Sequence, residues 1–172
     1  MIKKTFEWGK KATSIIHFYT FGKLKRLYER TELFFCNREE AERILHAPLV
    51  KGESDVKTLL HGIGVLGPKI VCITDGPVGA YCYDGHVSEC WFQPPYPDPK
   101  PPLNRTGAGD AFASTFTAAI ILGKSVREAL ALAPINSAFV VQQIGAQRGL
   151  LSRAQLETYL AAAPERYRVQ KL

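Results

Sequence analysis

The chain has 172 residues, 46% hydrophobic, 10% aromatic and 22% charged, which excludes disordered, collagen-like and low-complexity classes. That length supports one domain over residues 1–172 with a sizeable core and is too short for two well-separated domains. The net formal charge of +6 gathers near the ends, at residues such as Lys3, Lys4, Lys10, Arg166, Arg168 and Lys171, where it tolerates anionic ligands and reads as a solvated helix face; no stripe interleaved with aromatics and no docking module points to nucleic acid.

In chain order, Phe21, Leu24 and Leu27/Tyr28 recur at helical spacing among Lys and Arg and predict an amphipathic helix ending near Arg30. A short apolar β run, Glu32 to Cys36, follows. Asn37 then stands as an N-cap before Glu39, Glu40, Ala41, Ile44 and Leu45, a helix stopping near Pro48. Residues 55–66 predict another helix, closed by Gly67-Pro68, and the unbroken apolar run Lys69 to Thr74 predicts a strand buried on both faces of a parallel sheet. Ala80–Tyr83 and His86–Phe92 flank Asp84-Gly85, a hairpin signal that adds antiparallel strands.

Proline occupies positions 94, 95, 97, 99, 101 and 102, so this stretch is an extended surface connection. Thr106-Gly107-Ala108-Gly109-Asp110 opens a helix to about Leu122, ended by Gly123. Ser125 caps a helix through Leu132, and Pro134 starts a further one, Ile135 to Ile144, ended by Gly145. Alternating strands and helices predict an α/β fold with a mainly parallel sheet flanked by helices.

The apolar run Ala111 to Leu122 is interrupted by Ser114, Thr115 and Thr117 and is too short for a membrane span; with no secretory signal in the first residues, the expectation is a cytoplasmic protein with no membrane partner. Cys36, Cys72, Cys82 and Cys90 form no Cys-x-x-Cys pair and read as reduced, structural thiols.

The chemistry concentrates at residues 104–112. Gly107 and Gly109 flank Ala108 just before a helix, leaving main-chain N–H groups unobstructed beside the positive helix end, an anion site that suits phosphate. Asp110 in the first turn has two readings. It complements the helix dipole beside a tight turn, or it takes a proton from a nucleophile attacking the phosphate, which would make the site one of phosphoryl transfer.

Asn104 to Phe112 resembles the signature of the ribokinase-like (PfkB) carbohydrate kinases, Asp-x-Thr-Gly-Ala-Gly-Asp-Ala-Phe. Two more stretches are similar to motifs of that family in the same order: Asn37 to Glu42 to its Asn-x-x-Glu motif, and Thr74 to Gly79 to its Thr-x-Gly-x-x-Gly nucleotide loop. The helix Asn136 to Gly145 resembles the family's adenine-side helix. The resemblance implies that Asp110 is the general base, that the Gly107, Ala108 and Gly109 amides form the anion hole, and that Asn37 and Glu40 hold water-bound Mg²⁺ and the phosphates. It further implies that Thr74, Gly76, Gly79 and Thr106 line the nucleotide and that Asn136 lies near the adenine, with ATP and Mg²⁺ as cofactors. Asn37 and Glu40 also fit a plain capping box, and Thr74 also fits a strand end.

Asn104 stands where the pattern has Asp, in a region that binds a monovalent cation in relatives, so the resemblance carries no potassium requirement over to this chain. The match runs from about Phe34 to Gly149 and corresponds to the C-terminal half of the ribokinase-like fold, without the N-terminal half that supplies early strands, sugar-binding side chains and the lid. The expected function is transfer of the ATP γ-phosphoryl group to a hydroxyl of a sugar or nucleoside, as a partial chain; the alternative is a non-catalytic nucleotide-binding or assembly module derived from such a kinase. Apolar faces in residues 15–35 and an open sheet edge imply self-association or a partner N-terminal half.

Overall fold

The computed structural model describes residues 24–45 and 53–172. Helix α1 covers residues 24–29, and the earlier part of the expected amphipathic helix and the stop near Pro48 lie outside the described residues. The elements that follow are β1 (Leu33–Asn37), α2 (Arg38–Leu45), α3 (Glu53–Leu66), β2 (Ile70–Thr74), β3 (Ala80–Asp84), β4 (Glu89–Gln93), α4 (Ala108–Ile121), α5 (Val126–Val140), α6 (Arg153–Ala161) and β5 (Gln170–Lys171).

The five strands form one sheet in the order β1-β2-β3-β4-β5. The α/β architecture with flanking helices is as expected, but the sheet is mixed rather than mainly parallel: β1 and β2 are parallel, and β2–β3, β3–β4 and β4–β5 are antiparallel. For the first three pairs the reason is connection length. The α2 and α3 crossover lets β2 return beside β1 in the same direction, whereas the short turns after Thr74 and Asp84 can only reverse the chain. β2 has the expected buried character, with Ile70 to Ile73 all buried.

The β3–β4 connection is longer than an Asp-Gly pair alone predicts, because Asp84 pairs with Glu89 and residues 85–88 form the loop. The Gly85 N–H is drawn to the Lys69 carbonyl at 2.8 Å, and the Asp84 carboxylate accepts from the His86 N–H at 3.0 Å.

Apolar clusters fill both faces of the sheet. On one, Cys72, Cys82, Phe112, Phe116, Leu130 and Ile135 join β2 and β3 to α4 and α5; on the other, Ala41, Leu60, Ile63, Val71 and Ile73 join the strands to α2 and α3. All four cysteines are buried free thiols, and burial followed by the nearby Glu40 pushes the Cys36 thiol up to about 12. Tyr96 anchors the proline-rich connection in an aromatic group with Phe139, Tyr159 and Tyr167.

The helix expected to end at Leu132 and the one expected from Ile135 to Ile144 are a single helix, α5, which carries Pro134 inside it and ends at Val140. A proline in a helix interior costs about 3 kcal/mol. Ten of the fifteen residues of α5 are buried, and that tertiary burial outweighs the local penalty. α6 opens on a capping box, Ser152 with Gln155, a local signal in the sequence for a helix start there.

Candidate functional site

The site is built from two places in the sequence that the fold brings near each other. The first lies at the carboxyl ends of the parallel strands, where Asn37 of β1 pairs in register with Thr74 of β2. Crevices at such strand ends are where open α/β sheets hold ligands. Asn37 caps α2 reciprocally: the Glu40 N–H donates to Asn37 Oδ1 at 2.8 Å, and the Asn37 N–H donates to Glu40 Oε2 at 2.9 Å.

Beyond Thr74 the chain turns through Asp75 to Gly79. The Val78 N–H donates to the Asp75 carbonyl at 3.0 Å and the Asp75 N–H to the Gly79 carbonyl at 2.9 Å. The two glycines of this loop have different surroundings. Gly76, at φ +50°, is exposed, and a Cβ there would meet nothing within 4 Å. Gly79, at φ +135°, is buried, and its Cβ would lie 2.4 Å from the Gln93 carbonyl oxygen, so the approach of β4 alone demands glycine there.

Arg38 ties α2 to this turn through Nη1 to Asp75 Oδ2 at 2.9 Å, and its Nε meets Glu42 of the same helix at 3.4 Å. The Asp75 hydrogen bond raises the Arg38 pKa further and keeps the guanidinium charged. No local pattern signals a pair that lies 37 residues apart in sequence.

The second place is the start of α4. Gly107 sits at the N-cap with φ +86°, and no side chain caps the helix end. Its Cβ would strike Ala146 backbone and side-chain atoms at 2.7–2.8 Å, so the chain after α5 lies directly beneath the turn. Gly109 is exposed and faces open space, with nothing within 4 Å of an added Cβ. The first intrahelical bond is from the Ala111 N–H to the Gly107 carbonyl at 2.8 Å, so the amides just before it have no carbonyl one turn back within the helix. Asp110 is exposed and forms no ion pair among the described residues. Thr106 is exposed as well, and its N–H donates to Asn104 Oδ1 at 2.8 Å, so the amide at 104 performs the local turn bond that an aspartate there would make.

The Phe35 ring, two residues before Asn37, packs edge-on to the Phe112 ring, two residues after Asp110, with centroids 6.3 Å apart. This contact holds the first turns of α4 against β1.

Asn136 stands apart from that group. It is buried, its Nδ2 donates to Thr115 Oγ1 at 2.7 Å, and its Oδ1 accepts from the Leu151 N–H at 2.8 Å. Both ends of its amide are engaged in bracing α5 against α4 and the segment before α6. A cavity of about 330 Å³ among α4, α5 and α6 is lined by Ala118, Leu122, Leu132, Asn136, Leu151 and Leu156 among others. It lies farther along α4 than the glycine turn.

The pfkB family of carbohydrate kinases matches residues 11–153. This chain belongs to that family. Among pfkB relatives, the cytidine kinase of Thermococcus kodakarensis is 37% identical over 110 residues, 63% of this chain and 36% of that protein. The nucleoside kinase of Methanothermobacter thermautotrophicus is 25% identical over 135 residues, 78% of this chain and 40% of that protein. The structure of Arabidopsis thaliana ribokinase complexed with ribose and ATP superposes with a TM-score of 0.72 at 24% identity, covering 79% of this chain and 43% of that one. At that identity the likeness establishes the fold. The chain thus spans less than half the length of the pfkB relatives it matches. No helix among the described residues is long and apolar enough to cross a membrane.

Proposed function

We propose that this chain is the nucleotide-binding part of a pfkB-type kinase that moves the γ-phosphoryl group of ATP to a hydroxyl of a sugar or nucleoside in the cytoplasm. The observation that carries the reading is the start of α4, where uncapped amides at an open Gly109 adjoin an exposed carboxylate at Asp110. In the proposed reaction the acceptor hydroxyl oxygen forms a bond to the γ-phosphorus while the bond to the β-phosphate bridging oxygen breaks. The hydroxyl proton passes to Asp110 and ADP leaves. The Gly107 to Gly109 amides take up the charge that develops on the equatorial oxygens.

We assign Thr74, Gly76 and Thr106 to lining the nucleotide, Gly79 to closure of the β2–β3 turn and Asn136 to helix bracing. Asn37 and Glu40 fit a hydrated magnesium ion. Among the described residues no group of three or more His, Cys, Asp or Glu could cage a metal, but Mg²⁺ characteristically binds through one or two carboxylates, phosphates and its own waters. The capping box engages Glu40 Oε2 and leaves Oε1 for such an ion, which when bound neutralises phosphate charge.

Calorimetry with ATP and Mg²⁺ tests the binding claim, and acceptor-dependent ADP release across a panel of sugars and nucleosides tests the chemistry. The expected results are saturable heat for both the native chain and Asp110→Asn, and ADP release for the native chain alone. Absence of saturable heat refutes the proposal. The open outer edge of β1 among the described residues favours one second reading, a module that binds nucleotide without turnover, with the acceptor positioned by a partner or a self-associated copy seated on that edge. Saturable heat without ADP release from the native chain selects it.

A further inference from the structure

We propose that Ser137 is a positioning residue for the phosphate turn, holding the Ala108 carbonyl so that the Gly109 N–H is aimed at the phosphoryl group; this rests on the function proposed above. Ser137 Oγ, on α5, donates to the Ala108 carbonyl, at the first residue of α4, at 2.8 Å. A trans peptide is planar, and its C=O and N–H point in opposite directions. The carbonyl that Ser137 grips belongs to the same peptide as the Gly109 amide. Fixing the one toward α5 therefore fixes the other away from it.

Three further observations support the assignment. A helical serine or threonine ordinarily returns its hydroxyl to a carbonyl three or four residues back, as Ser114 does to Ala111 and Thr158 does to Ala154. Ser137 instead reaches another helix. The start of α4 also lacks a side-chain cap, and the Ala108 N–H reaches the Arg105 carbonyl only at 3.4 Å. Finally, a hydrogen bond accepted by a peptide carbonyl polarises the peptide and strengthens its N–H as a donor. The adjacent Asn136 anchors α5 to Thr115 of α4, which keeps the Ser137 hydroxyl at its station.

The test uses the full chain, with Ser137→Ala and Ser137→Thr. Amide NMR reads the turn directly: the Gly109 resonance is expected to move in Ser137→Ala and to return toward its native position in Ser137→Thr. Calorimetry with Mg²⁺ reads the consequence. ATP affinity should fall about fivefold in Ser137→Ala, the effect of one lost hydrogen bond, with ADP affinity unchanged and ATP affinity restored by threonine. An unmoved Gly109 resonance, or equal losses for ATP and ADP, overturns the proposal. A native chain that binds neither nucleotide refutes the function above, while the Gly109 resonance still decides the role of Ser137.

Discussion

Gly107 and Gly109 stand two residues apart in one motif, yet the structure predicts opposite effects for the same substitution at each. At Gly107 the backbone is left-handed, φ +86°, which costs an alanine about 1–2 kcal/mol. Its methyl would also lie 2.7 Å from the Ala146 Cα and carbonyl oxygen, backbone atoms that cannot rotate aside, and overpacking of this kind costs about 1–3 kcal/mol. Together these give a loss of about 2–5 kcal/mol for Gly107→Ala, or about 4–20 °C in melting temperature for a chain of this size. Gly109 has no positive φ, and its methyl would enter open space. Alanine is the better helix former there by about 0.5–1 kcal/mol, so Gly109→Ala should melt at the native temperature or slightly above it. The open space is where the phosphoryl group is proposed to sit, so the same methyl should weaken ATP binding by more than about tenfold. Thermal melts followed by circular dichroism, paired with calorimetry, measure both quantities. Equal destabilisation by the two substitutions, or native ATP affinity in Gly109→Ala, refutes the reasoning.

Other expectations follow from neighbouring features. Removing the guanidinium in Arg38→Met strands the buried Glu42 carboxylate and should cost about 3 kcal/mol in urea unfolding, with Asp75→Asn costing less because Asp75 is partly exposed. Gly79→Ala should be more damaging than Gly76→Ala in thermal melts, since only the former meets the Gln93 carbonyl. The Cys36 thiol, pushed up from 9.0 to about 12, stays protonated in the folded state where the unfolded chain ionises. Folded-state stability is thus fully present below pH 9 and should decline between pH 9 and 12, a slope that Cys36→Ala reduces in urea titrations. The unpaired outer edge of β1 among the described residues, together with Leu27, an apolar side chain 63% exposed on α1, should give a sedimenting species heavier than one chain, and Leu27→Glu should shift that distribution toward the monomer.

Much of the local geometry of the candidate site was legible in the sequence because its signals are local. The N-cap at Asn37, the glycine turn and the carboxylate at Asp110 each declare themselves within a few residues, and the structure puts Asn37 beside Thr74 and opens α4 at Ala108. What escaped depends on distance in sequence. The Arg38–Asp75 ion pair, the Ser137–Ala108 bond and the packing of Ala146 under Gly107 join segments that no periodicity links. Pro134 misled for the same reason, because a local helix breaker was overruled by the burial of α5. The mixed sheet follows from how each connection turns, and the composition of a strand does not show which way its neighbour runs.

Residues 136 and 137 of α5 each take hold of α4, one at Thr115 in the middle of that helix and the other at Ala108 where it begins. Two attachments along one rod fix its tilt as well as its place. The aim of the proposed phosphate turn is thereby set by a helix whose own seat is the sheet, so a repacking of core residues such as Leu130 or Ile135 would be expected to weaken nucleotide binding before it altered the fold.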